Sequence, residues 1–259
     1  MRPLVAVRRA TPFDGRFHER HVLFWPLAPA VRALGDPADF PPVEALDRVF
    51  GDGRTGDRGV RFVAASPRRR RGAPLDADAL YDGRIALRGE IPTRSGCWHD
   101  LMNALVWGTF PRAKRALHAR QHAAITARLP PGAVALLPRS PELDALALID
   151  EGGVVVLADD ADEARARLRV KTDGGGLRGL VGSGRARTLV FGHAIYESLA
   201  LGVTPGVVAA VVLPDGHAEA HPVRAADEAL ARALVDRDRF VSPRELTRVD
   251  VRDVQPAAV

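Results

Sequence analysis

The stretch Thr188–Leu213, TLVFGHAIYESLALGVTPGVVAAVVL, decides the fold class. Thr188–Phe191 is short and apolar and predicts a strand, which Gly192 ends. His193–Leu201 carries helical spacing, and Val207–Leu213 predicts another strand. Strand, helix and strand in succession point to an α/β or α+β protein with a mixed sheet flanked by helices.

Working outward, Leu146–Ile149 and Val154–Leu157 flank Asp150-Glu151-Gly152-Gly153, a spacing that predicts a β-hairpin. A helix is expected over 161–169, then a flexible stretch over 173–184, which holds six glycines. Further upstream, residues 98–108 fit an apolar helix with Leu101, Leu105 and Trp107 buried. Thr109 can cap a second helix, because Pro111 is tolerated in a first turn; that helix runs to about Arg128, before Pro130-Pro131. Val60–Ala65, Arg84–Gly89 and Ala133–Leu137 read as short strands. Residues 42–50 and 225–235 read as helices, the first with Val43, Leu46, Val49 and Phe50 on one side. No repeat and no clear linker interrupts the chain. One domain over 1–259 is expected, with residues 1–60 carrying the fewest signals.

At 259 residues, with 46% hydrophobic and 27% charged, the composition is that of an ordinary globular protein able to bury a sizeable core. The lone thiol, Cys97, cannot form an internal bridge, which excludes a disulfide-built secreted scaffold. Net charge is +5 and the pI about 10.2, almost all of the base being arginine; lysine occurs only at Lys114 and Lys171. Such a charge permits contact with nucleic acid without requiring it. The N-terminus lacks a signal-peptide pattern, and the longest uncharged run, Ser198–Pro214, falls short of the roughly 20 apolar residues that span a bilayer. A cytoplasmic location with no membrane partner is the expectation.

Trp98-His99-Asp100 opens the predicted apolar helix, where free N–H groups disfavour an imidazolium. A neutral histidine can accept a proton or bind a metal. Asn103, four residues from His99 and three from Asp100, can touch either on the helix surface. In the bland reading Asp100 caps the helix and His99 is a satisfied core histidine. The second feature is Gly192-His193 at a strand end, with Glu197 one turn on. His193 either converges with His99 on one anionic or metal-bound substrate, or caps its own helix. Third, on one extended strand Asp144 and Asp150 share a face roughly 20 Å apart, at about 3.3 Å per residue. Both cannot line one small site, and Asp144 is the candidate of the two, Asp150-Glu151 fitting turn chemistry.

The run Arg68–Arg71 is the main nucleic-acid signal, though it lacks interleaved aromatics and any zinc or RNA-binding signature. Cys97 beside Trp98 reads as an inert thiol in the absence of an adjacent base. No phosphate loop, dinucleotide fingerprint, HExxH or Cys-x-x-Cys pair is present, which argues against the common nucleotide-dependent and zinc enzymes.

The string WHDLMNALVWGTFPRAK, Trp98–Lys114, resembles the bacterial domain of unknown function 3025 family. So do Asp144-Ala145-Leu146 leading into Asp150-Glu151-Gly152-Gly153, and Val190-Phe191-Gly192-His193-Ala194 with Glu197. The blocks fall in order within residues 90–205, the family-like core. The chain departs from the pattern at Cys97, Leu143 and Ala147. The resemblance implies a bacterial cytoplasmic protein and brings no substrate, cofactor or reaction.

Three functions remain open. The first is an enzyme of hydrolase type, with His99 and Asp100 as an acid–base pair and His193 as a second acid, base or ligand. Trp98, Asn103, Asp144 and Glu197 would then contact substrate. A metal-dependent form would use His99, His193 and one carboxylate. The second is a scaffold in which the same residues form a buried network. The third is nucleic-acid or acidic-partner binding through Arg68–Arg71. Sequence names no metal, no cofactor, no partner and no oligomeric state.

Overall fold

The computed structural model describes residues 11–51, 59–65, 72–170, 176–215 and 221–256. After two 3₁₀ turns come α1 (Ala28–Leu34), α2 (Val43–Phe50), β1 (Arg61–Ala64), α3 (Tyr81–Arg88) and β2 (Glu90–Thr93). The middle of the chain is helical, with α4 (Trp98–Thr109), α5 (Pro111–Thr126) and α6 (Pro141–Gly152). Then follow β3 (Gly153–Ala158), α7 (Ala161–Arg169), α8 (Leu177–Gly182), β4 (Ala186–Val190), α9 (His193–Ala200), β5 (Val207–Pro214), α10 (Pro222–Val235) and β6 (Thr247–Asp250).

The fold is α+β. Its main sheet is mixed, in the order β4-β3-β5-β6. β3 and β5 pair in parallel with Val155 opposite Val211, while β4 and β6 add antiparallel edges. All six residues of β3 are buried, so GVVVLA shows no alternation. That is how a strand covered on both faces reads. Helices α7 and α10 pack against β3 and β5. A separate two-stranded parallel sheet joins β1 to β2.

From Trp98 to Trp107, every residue of α4 except His99 is buried. A helix apolar on nearly all sides lies inside the protein, and α4 is packed by α1, α2 and α9. Each fully buried large side chain there contributes about 1.5–3 kcal/mol, which anchors the one half-buried member, His99, in a rigid frame. The N-terminal segment joins this core, since Phe13, Phe17 and Phe40 ring Trp98 with centroids 5.1–5.6 Å away.

Several expected elements differ. Arg84–Gly89 is the end of α3, not a strand; Gly89, at φ +65°, ends the helix by donating to Ile85 O, and the strand starts at Glu90. Leu146–Ile149 lies inside α6, so Gly152-Gly153 is a helix-to-strand junction and not a hairpin. The Ser140-Pro141 start explains it, with Ser140 Oγ accepting from Leu143 N at 3.2 Å. Ala133–Leu137 forms neither strand nor helix, and Val134, Leu136 and Leu137 are exposed. Thr109 closes α4 by donating to Leu105 O at 2.8 Å, leaving Phe110 as the residue before α5. Part of the glycine-rich stretch is α8. The Arg68–Arg71 run lies outside the described residues. No helix among the described residues is long and apolar enough to cross a membrane.

Candidate functional site

Three chain segments meet where α4 begins, α6 ends and α9 begins. His99 is the second residue of α4, and His193 the first of α9. Their Nε2 atoms face each other at 3.0 Å, with the rings edge to face. Glu151, in the last turn of α6, brings Oε2 to 3.5 Å from His193 Nε2. Ligand-type atoms of His99, Glu151 and His193 all lie within 4.8 Å of one another.

The other nitrogen of each ring is committed. His193 Nδ1 donates to the Asp150 carbonyl at 2.9 Å, and His99 Nδ1 to Glu197 Oε2 at 3.1 Å. Since a carbonyl and a carboxylate only accept, each Nδ1 carries a proton, and a ring without a second proton turns a bare Nε2 to the other. Burial works against a charge on His99, but Glu197, Glu151 and Asp100 together raise its pKa above the usual value.

Gly192 makes this approach possible. A Cβ there would lie 2.5 Å from Glu151 O and from Gly153 N. Only a residue without a side chain lets the β4–α9 turn press against the end of α6.

Below the rings, the fully buried Lys114 Nζ donates to Asp150 Oδ1 at 2.6 Å. Burial opposes ionisation of Asp150, yet the Lys114 ammonium beside it holds its pKa well below the usual carboxylate range. That pair fixes the Asp150 backbone, hence the His193 ring. His118, one turn beyond Lys114, binds Asp82 Oδ1 through Nδ1 at 2.8 Å and stacks on Trp107. Asn103 Nδ2 donates to the Tyr81 hydroxyl at 3.0 Å. Burial and the Asp150 charge push the Tyr81 pKa upward, so the phenol stays protonated.

His99, His193, Asp150, Glu151, His118 and Asn103 line a cavity of about 370 Å³, walled also by Tyr81, Asp82, Arg94, Gln121 and Arg139, within the ~300–1,000 Å³ range of small-molecule sites. Asn103 Oδ1, His118 Nε2 and Gln121 Oε1 are shielded from solvent and have no partner among the described residues. Orphaned acceptors in a hollow await a ligand or water.

The cavity thus gathers His99, Asp100, Asn103 and His193. Asp100 does not hold His99; its carboxylate accepts from Arg94 N, Nε and Nη2 at 2.6–3.0 Å. Glu197 takes that position instead, buried behind His99 and outside the cavity wall. Trp98 also lies outside it, in its aromatic cluster, with Nε1 donating to Thr11 O. Asp144 is exposed and away from the cavity. In a helix, six residues rise only about 9 Å but turn to a different face, so Asp150 points in where Asp144 points out. Cys97 is part-exposed, with Sγ 3.8 Å from Asp100 Oδ1.

Glu151, Lys114, His118 and Gln121 escaped the sequence reading. Glu151 was hidden by the hairpin expectation. Lys114, His118 and Gln121 had a signal: spacings of four and three place them on one face of α5, and lysine is rare here.

Residues 61–255 match the family described as protein of unknown function (DUF3025). The chain belongs to this family. No curated protein and no solved structure matches it. The DUF3025 match encloses every residue of the cavity and leaves out the N-terminal segment that packs on Trp98.

Proposed function

We propose that this protein binds a divalent transition metal through His99 Nε2, His193 Nε2 and the Glu151 carboxylate, and uses it to hydrolyse a small substrate. The reading is carried by the 3.0 Å approach of two Nε2 atoms whose rings already donate through Nδ1. Two lone pairs so close repel unless a proton or a metal ion lies between them, and the Glu151 carboxylate beside the pair supplies the third donor that a metal uses. Two Zn–N bonds of about 2.0–2.1 Å at a tetrahedral angle span about 3.3 Å, a few tenths from this spacing. Glu197 and the Asp150 carbonyl act as the outer acceptors that orient metal-binding imidazoles.

Three protein ligands leave a fourth position for water, which such a metal makes acidic near neutral pH. His118, oriented by Asp82 and with Nε2 unpartnered, is the acid–base group of the cavity. Asn103 and Gln121 orient the substrate through their free acceptors. The scaffold alternative calls for a closed network with its polar atoms satisfied, and the open cavity with orphaned atoms favours a ligand.

The test is metal analysis and calorimetric zinc titration of the wild type and of His99→Ala, His193→Ala and Glu151→Ala. About one zinc per chain, lost in the two histidine variants with the fold retained, is the expected result. No bound metal in a folded wild type would overturn the assignment and leave the His99–His193 contact as an acid–base pair sharing a proton.

A further inference from the structure

We infer that the substrate handled at this centre is an amphipathic anion, its apolar arm lying in a groove beside the cavity and its acidic group meeting Arg139. The inference rests on the cavity being the catalytic site. The groove, of about 170 Å³, is lined by Ile125, Leu129, Leu136, Leu137 and Leu143. It shares Asp82, Gln121, Arg139 and Ala147 with the site cavity, so the two hollows adjoin. One is aliphatic and the other polar.

Leu136 and Leu137 are 53% and 49% exposed, in the irregular segment between α5 and α6. Neighbouring leucines left half in water beside a polar cavity suit an apolar ligand more than they suit the free protein. The charge pattern says which kind. Arg139 stands in the wall common to both hollows and makes no ion pair among the described residues. The nearby Asp82 is committed to His118. Arg128, also in the groove wall, donates to the Pro138 carbonyl at 3.0 Å, so its positive charge is uncompensated by that bond. An aliphatic floor rimmed by two guanidinium groups recognises a chain ending in or bearing a carboxylate. The volume suits a short aliphatic chain.

The experiment titrates octanoate, octylammonium and acetate into chelator-treated, metal-free protein, followed by calorimetry and amide chemical shifts. Octanoate should bind at least about tenfold more tightly than either of the others, since several methylenes leave water and the anion meets arginine. Leu137→Asp and Arg139→Glu, both at exposed positions, should each weaken octanoate at least about tenfold, and Val235→Ser, exposed on α10 and outside both hollows, should leave it unchanged. Leu136→Ser replaces Leu137→Asp if circular dichroism shows that variant unfolded. Octanoate binding no tighter than acetate, or indifferent to both groove substitutions, would overturn the proposal. Because octanoate is titrated with no metal present, loss of the groove and loss of the metal centre are separate results.

Discussion

His99 and His193, 94 residues apart in the chain, meet Nε2 to Nε2 at 3.0 Å, each ring held from behind by a fixed acceptor. The consequence lies in the outer acceptors. Replacing Glu197 with Gln keeps the volume but removes the charge behind His99. Zinc affinity should fall about 10–100-fold with the fold intact, the usual effect of losing such an orienting partner. Competition against a chelator of known affinity checks this, and an unchanged affinity would mean that the His99–Glu197 bond does not orient a ligand.

Lys114 is the buried counterion of Asp150. Lys114→Met leaves the carboxylate in a dry site with its main partner gone, a change that costs about 3–5 kcal/mol for a buried pair. Urea unfolding should read that loss, and adding Asp150→Asn in the same chain should recover a large part of it. If the single variant loses less than about 1 kcal/mol, water reaches Asp150 and the pair is not a buried strut.

Gly192→Ala places a methyl group against the Glu151 carbonyl and the Gly153 amide. The backbone must shift, costing about 1–3 kcal/mol, as overpacking does. Since the shift separates α9 from the end of α6, zinc binding should weaken more than stability does. A variant with wild-type affinity would show that the close approach is dispensable.

Asp227 in α10 accepts from the Arg112 and Ala113 amides at the start of α5. Burial pushes its pKa up to about 6, against the lowering effect of those amides. The native state therefore holds this proton between about pH 4 and 6 while the unfolded chain has released it. Stability from this group is full below about pH 4 and is lost as pH rises to about 6, by roughly 3 kcal/mol at about 1.4 kcal/mol per pH unit. Asp227→Asn should flatten that part of the stability–pH curve. An equal slope in the two proteins would assign the proton elsewhere.

The all-apolar β3 and β5 and the buried face of α4 were legible because burial on every side leaves no ambiguity of composition. The junction at residues 146–153 was not, because a four-residue apolar run fits strand or buried helix equally. There the decisive sign was Ser140-Pro141, several residues upstream. That error carried into the site, exchanging Asp144 for Asp150 and concealing Glu151. The pairing of His99 with Asp100 failed for a related reason. Adjacent residues on a helix point about 100° apart, so the carboxylate behind His99 came from a helix distant in sequence.

The start of α4, the end of α6 and the start of α9 supply one donor group each. If the three groups hold an ion as proposed, no fragment short of all three segments offers the full donor set, and a chain still being synthesised lacks it until α9 has emerged. Metal uptake would thus report that these three segments have come together in the folded chain.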